Sequence, residues 1–203
     1  MKKKPQSLPR GRPRSASVDK ALIEAARDEF IAKGIHAMSM ESIAGRAGVS
    51  KVSLYRRWSS KLEATADALR LLGETGISGD HGSLDADVRA LFAATINSPE
   101  AKASAKFLMR TMGEISDHPE LLAIYRTQLL APRIDQILTM IERARSRKEL
   151  SDVPADVAAA VVAGPLFLYS LILLADPDHV WPNNFVEELT RTVLSGIGTR
   201  SSF

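Results

Sequence analysis

Apolar positions recur at helical spacing along nearly the whole chain. Leu22, Ala26 and Phe30 fall at i, i+4 and i+8 with Ile23 beside them. That spacing predicts a helix from about residue 18, which Gly34 ends after Lys33 in the last turn. Ser39 then offers an N-cap oxygen to a short helix over residues 40–47, whose inner face is Ile43, Ala44 and Ala47. Gly48 and Val49 break this helix, and Ser50 caps another that reaches about Trp58. Ser59-Ser60 separates it from a helix starting near Lys61, with Leu62, Ala66 and Leu69 on one face.

Four glycines between residues 73 and 82 predict a loop. Leu84, Val88, Leu91 and Phe92 mark the next helix, and Ser98-Pro99 opens another that runs to about Ile115. His118-Pro119 repeats that start signal. Leu121, Leu122, Tyr125, Leu129, Ile134, Ile137, Leu138 and Ile141 extend a long helix to about Arg147, with a bend expected at Pro132. Pro154 starts a helix to Ala175, and a last one covers about 183–195. Convincing β alternation is absent, and so are internal repeats and heptads. The expected fold is therefore an all-α helical bundle in three parts: a basic arm (1–17), a compact helical unit (18–62) and a larger helical unit (63–203).

Charge is divided unevenly along this frame. Residues 1–61 hold fourteen Lys and Arg against five Asp and Glu, whereas the remainder holds thirteen against nineteen. A basic N-terminal third on an acidic remainder suits a polyanion-binding module joined to a different kind of domain. The chain has no cysteine, which removes disulfides, thiolate catalysis and zinc fingers and points to the cytoplasm. Met1-Lys2-Lys3-Lys4 is followed by Pro5-Gln6-Ser7-Leu8-Pro9-Arg10, not by the apolar stretch of an export signal. His36, His81, His118 and His179 form no pair at metal-site spacing, so no metal or cofactor is expected. Neither a nucleophile–base pair nor a phosphate-cradling glycine loop stands out. Catalysis is not expected.

The functional signal is concentrated in residues 43–58. Two short helices that cross steeply need a small residue at their approach, supplied by Ala44, and a positive φ in the turn, allowed by Gly48. Val49 and Leu54 would pin the second helix to the first, with Trp58 closing the core. The second helix then keeps Ser50, Lys51, Val52, Ser53, Tyr55, Arg56 and Arg57 for a partner, as the recognition helix of a helix-turn-helix does. Ser50 and Lys51 sit where free N–H groups favour a phosphate. Tyr55 can donate to a phosphate, Val52 can touch a thymine methyl, and Arg56 or Arg57 can fork onto guanine. The competing reading is a helix pair with a solvated basic face.

These residues resemble the DNA-binding domain of TetR-family transcriptional regulators over residues 18–63. The likeness lies in Met40-Glu41-Ser42-Ile43-Ala44, in Ala47-Gly48-Val49-Ser50-Lys51 and in the run from Leu54 to Lys61. It implies phosphate contacts from Ser39, Tyr55 and Lys61. Val52 stands where the family often has Gly, Ala or Pro, and Trp58 where it commonly has phenylalanine. The resemblance also implies that residues 63–203 bind a small effector and form a homodimer, and that the protein is a repressor.

Arg10, Arg12 and Arg14, in Arg10-Gly11-Arg12-Pro13-Arg14, form a slim cationic segment suited to a narrow A·T minor groove. The alternative is a solubilising tail. Residues 157–175 carry no charge and are long enough to span a membrane, but Gly164-Pro165 interrupts them and no Lys or Arg anchors either end. A homodimer interface formed with the last helix is the preferred reading. Phe92, Phe107, Met109, Met112, Tyr125 and Met140 are candidates for an apolar effector cavity or for plain core. The reading reached is a ligand-responsive regulator that binds a palindromic double-stranded operator. Its rivals are a sequence-indifferent architectural DNA protein and a membrane-anchored regulator.

Overall fold

A computed structural model describes residues 16–74, 79–96, 101–176 and 178–198. The described elements are α1 (Ala16–Ala37), α2 (Met40–Ala47), α3 (Lys51–Tyr55), α4 (Lys61–Glu74), α5 (Leu84–Ile96), α6 (Ala101–Glu114), α7 (Pro119–Tyr125), α8 (Ala131–Ser146), α9 (Ala155–Ala175) and α10 (Phe185–Ile197). Among these residues there is no strand, and one antiparallel bridge joins Leu150 to Gly198. The all-α expectation holds. The arm with Arg10, Arg12 and Arg14, and the Ser98-Pro99 signal, lie outside the described residues.

Two apolar cores organise the chain. The first joins α1–α4 through Leu22, Phe30, Ile43, Leu54, Trp58 and Leu69, and it also takes in Phe107 of α6 and Leu121 of α7. Phe30 and Phe107 meet with ring centroids 4.6 Å apart. The second core packs α5, α8, α9 and α10 around Phe92, Met140, Ile141, Val162 and Leu194. The first core extends past residue 62, because α4 contributes Ala64, Ala68, Leu69 and Leu72 to it.

In place of a bend at Pro132, the chain shows a π turn just before it. Residues Arg126–Leu130 form a π turn that joins α7 to α8, and the Ala131 N–H donates to Arg126 O. Proline has no N–H, and its ring crowds the carbonyl four residues back, here Gln128. Widening the preceding turn relieves that crowding without breaking the helix.

The last two helices differ from each other. In α9, Ala158, Val162, Leu166, Tyr169 and Leu173 are buried, while Val157, Val161, Phe167 and Leu168 are exposed. In α10, by contrast, Val193, Leu194 and Ile197 are buried within the second core. Its exposed positions, Glu187, Glu188, Arg191, Thr192, Ser195 and Gly196, carry no apolar side chain. Part of the apolar stripe of α10 is thus spent inside its own chain, while Phe185, Val186 and Leu189 stay half-buried. Of these two helices, α9 leaves the more exposed apolar face for a neighbour.

Gly34 interrupts α1 with φ 73° and ψ 173°, a region that is essentially glycine-only. A Cβ there would lie 1.7 Å from Glu114 Oε1, in α6. Glu114 is already engaged, since its Oε2 accepts from the Ile35 N–H at 2.7 Å. Moving the side chain aside would cost that bond as well as the strain. Gly34→Ala is expected to lower stability by about 2–3 kcal/mol, read from denaturant unfolding. A loss below about 0.5 kcal/mol would show that this junction relaxes freely.

Candidate nucleic-acid interface

The turn between α2 and α3 follows from its caps. Ser39 caps α2: its Oγ accepts from the Ser42 N–H at 3.1 Å, and Ser42 Oγ accepts in return from the Ser39 N–H at 3.2 Å. Gly48 closes α2 in the left-handed conformation, at φ 67° and ψ 30°. Ser50 Oγ accepts from the Ser53 N–H at 3.2 Å and starts α3. Buried Ala44 and Leu54 hold the two helices together over Ile43 and Trp58. Glu29 of α1 adds a polar clamp, with its buried carboxylate 2.9 Å from Arg46 of α2 and 2.8 Å from Lys33. Burial alone would raise the Glu29 pKa, but hydrogen bonds from Lys33, Ser42 and Arg46 hold it below the usual glutamate value.

This frame presents Ser50, Lys51, Val52, Tyr55 and Arg56 to solvent, while Ser53 and Lys61 are half-buried. Val52 is 78% exposed, which nothing in core packing explains. Lys51 lies 3.1 Å from Glu41 on α2. Lys61 Nζ donates to His36 O at 3.0 Å and so ties α4 to the end of α1. Ser39 is half-buried, and its hydroxyl faces Ser42. It could reach a phosphate only by giving up that hydrogen bond.

Arg57, expected on the DNA-facing side, is engaged elsewhere in the free chain. Helix α3 ends at Tyr55, so Arg57 leaves the recognition face and turns inward. Its Nη2 donates to Asp67 of α4 at 3.0 Å, and its Nη1 to Asp19 of α1. The guanidinium carbon sits 5.1 Å from the centroid of the Trp58 ring, whose Nε1 also donates to Asp67, at 2.9 Å. Arg57 is a strut from the turn after α3 to α1 and α4. Asp19 and Asp67 were not singled out in the sequence, and their distance along the chain left no local signal for the pairing.

Behind this head lies a cavity of about 210 Å³, bounded by α4, α5, α6, α7 with its π turn, α8 and α9. Leu91, Phe107, Leu108, Ile137 and Leu166 give it apolar walls, with Tyr125 and Arg133 among the polar ones. Of the cavity candidates, Phe107 and Tyr125 line it, Met112 lines a more open hollow, Phe92 and Met140 are buried core, and Met109 is half-buried and lines neither. Arg133 was missed, although it interrupts the apolar i, i+4, i+8 stripe Leu129–Arg133–Ile137. Among the described residues no group of three or more His, Cys, Asp or Glu could hold a metal.

A helix-turn-helix head, a recognition helix with exposed donors and a helical body around an apolar cavity define a class: DNA-binding transcriptional regulators with a ligand-binding domain. Residues 22–63 match the family model of bacterial regulatory proteins, tetR family, and residues 79–189 match the tetracyclin repressor-like C-terminal domain. The chain belongs to the TetR family of transcriptional regulators. It is 27% identical over 195 residues to the uncharacterized HTH-type transcriptional regulator YdeS of Bacillus subtilis, covering 95% of this chain and 96% of that one. It is 45% identical over 58 residues, 29% of this chain and 26% of the relative, to the HTH-type transcriptional activator FasR of Mycolicibacterium smegmatis. In fold it is similar to the fatty acid degradation regulator FadR from Bacillus halodurans, with a TM-score of 0.68 at 14% identity, covering 90% of this chain and 97% of that one. Helix α9 is long and apolar enough to cross a membrane. Its buried face is packed in the second core, and the Tyr169 hydroxyl donates to Ile96 O of α5 at 2.9 Å.

Proposed function

We propose that the protein is a cytoplasmic, homodimeric repressor that leaves a palindromic operator when a small apolar or amphipathic molecule fills the cavity. The observation that carries this reading is the bond from Arg133 Nη2, at the cavity, to Leu72 O in the last turn of α4, 2.9 Å long. Helix α4 also holds Asp67, the anchor of Arg57 and Trp58. An occupant that displaces the far end of α4 therefore acts on the head through one rigid element. The two recognition helices must match the spacing of two half-sites, so a small tilt weakens both contacts together. The dimer forms through the exposed face of α9, and Arg10, Arg12 and Arg14 follow the minor groove beside each half-site.

Selection of genomic fragments by the purified protein tests this reading. One palindrome is the expected result. Diffuse protection without a palindrome would support an architectural DNA protein instead, and recovery in the membrane fraction a membrane-anchored one.

Tyr55→Phe and Lys61→Ala are expected to weaken binding to all sequences alike, because phosphate contacts carry no base information. Arg56→Ala is expected to relax preference at one base pair, at a cost of about 1–3 kcal/mol. Competition between the selected site and single-base variants checks both. Uniform weakening by Arg56→Ala would move base reading to Lys51, Val52 or Ser53.

A further inference from the structure

The cavity has a chemical bias that narrows its occupant. Among the described lining residues are Arg133, Tyr125, Thr95, Ser104 and Ser170, and no Asp or Glu. Two of these carry the argument. Thr95 Oγ1 is buried and has no hydrogen-bond partner among the described residues, which is costly unless an occupant supplies one. Arg133 brings a permanent positive charge into an apolar wall. Burial pushes its pKa below the usual arginine value, against the opposing influence of Tyr125. A guanidinium has five N–H donors in a planar fork that matches a carboxylate.

Size sets the other limit. A volume of about 210 Å³ corresponds to roughly seven waters at about 30 Å³ each. That is below the range of about 300–1,000 Å³ typical for drug-sized ligands. The walls around it are the apolar side chains of α5, α6, α8 and α9.

Resting on the effector-responsive reading above, we propose that the cavity takes a short amphipathic organic anion, its acidic head on Arg133 and its apolar tail among Leu91, Phe107, Ile137 and Leu166. The regulatory step follows from where Arg133 already donates. Its bond to Leu72 O places a cation at the carbonyl end of α4, where the helix dipole favours it. A carboxylate accepts from a guanidinium more strongly than a peptide carbonyl does, so the anion draws Arg133 from Leu72. The last turn of α4 loses its latch, and the helix that anchors Arg57 and Trp58 is released at its far end.

The test titrates the full chain calorimetrically with octanoate, 1-octanol and octylammonium, which share a tail and differ in charge. Octanoate is expected to bind at least about tenfold tighter than octanol, and octylammonium more weakly than either. Arg133→Met should cost octanoate at least about tenfold while changing octanol by less than about threefold, and Arg133→Lys should keep part of the anion preference. The wild-type comparison carries the charge claim even if a variant misfolds. Amide deuterium exchange in the last turn of α4 should rise when octanoate binds, and unchanged exchange overturns the latch. Octanol binding as tightly as octanoate, or Arg133→Met leaving octanoate binding intact, overturns the anion assignment and leaves the effector reading standing. Binding of none of the three overturns both.

Discussion

Leu168→Glu is expected to turn the dimer into a monomer without unfolding the chain. Leu168 is 57% exposed in the single chain, on a face it shares with Val157, Val161 and Phe167. Val157, Val161 and Leu168 follow one another at i, i+4 and i+11, so they form one stripe down a helix whose opposite side is buried core. A two-fold interface is isologous, and each substitution places two carboxylates against apolar surface. Sedimentation should give a monomer at micromolar concentration. The operator contacts then act singly, and loss of the second, intramolecular contact should weaken full-site binding by roughly 10²–10⁴-fold. Thermal stability of the monomer should stay close to that of Leu168→Ser, which removes the apolar surface without adding charge. A dimer that survives Leu168→Glu would put the interface elsewhere, for instance on the polar outer face of α10.

The contrast between α9 and α10 also shows what a one-dimensional pattern contains. Periodicity reports that a face is buried, not what buries it. Phe185, Val186, Leu189, Val193 and Leu194 make a clear stripe, and the sequence reading assigned it to a second chain. In the single chain Val193 and Leu194 pack in the second core, while Phe185, Val186 and Leu189 are only half-buried against it, so one stripe serves the core at one end and keeps apolar surface for a neighbour at the other. Caps and turns were more legible because their chemistry is local. Ser39, Gly48 and Ser50 act within four residues of their own position, so the helix-turn-helix could be drawn before any tertiary contact was known. The cavity was not legible in the same way. Its walls come from residues between Leu72 and Ser170, and no local rule links them. The irregularity near Pro132 was partly legible. The proline marked the disturbance, while the structure chose a π turn as its form.

Arg57→Ala is expected to act on stability first and on DNA binding only as a consequence. The Arg57 side chain is 15% exposed and joins Asp19, Asp67 and the Trp58 ring. Removing it leaves two carboxylates facing each other's helices without their shared cation. Loss of one partner from a fully buried pair costs about 3–5 kcal/mol. Both aspartates are about a third exposed here, so screening brings the expected cost to about 2 kcal/mol. Burial alone would raise the Asp67 pKa, but hydrogen bonds from Trp58 and Arg57 and the charges of Arg57 and Arg70 hold it below its usual 3.8. A carboxylate with a depressed native pKa stabilises the fold at pH values above its unfolded pKa, and that contribution is lost as pH falls through the native value. The melting-temperature gap between the wild type and Asp67→Asn should therefore be full at neutral pH, begin to close near pH 4 and vanish below the native pKa. Arg56→Ala, on the exposed turn next door, should leave the melting temperature near that of the wild type and change only the DNA profile. If Arg57→Ala instead melts like the wild type and loses preference at one base pair, then Arg57 leaves its acids for the major groove, and the strut is a feature of the free protein alone.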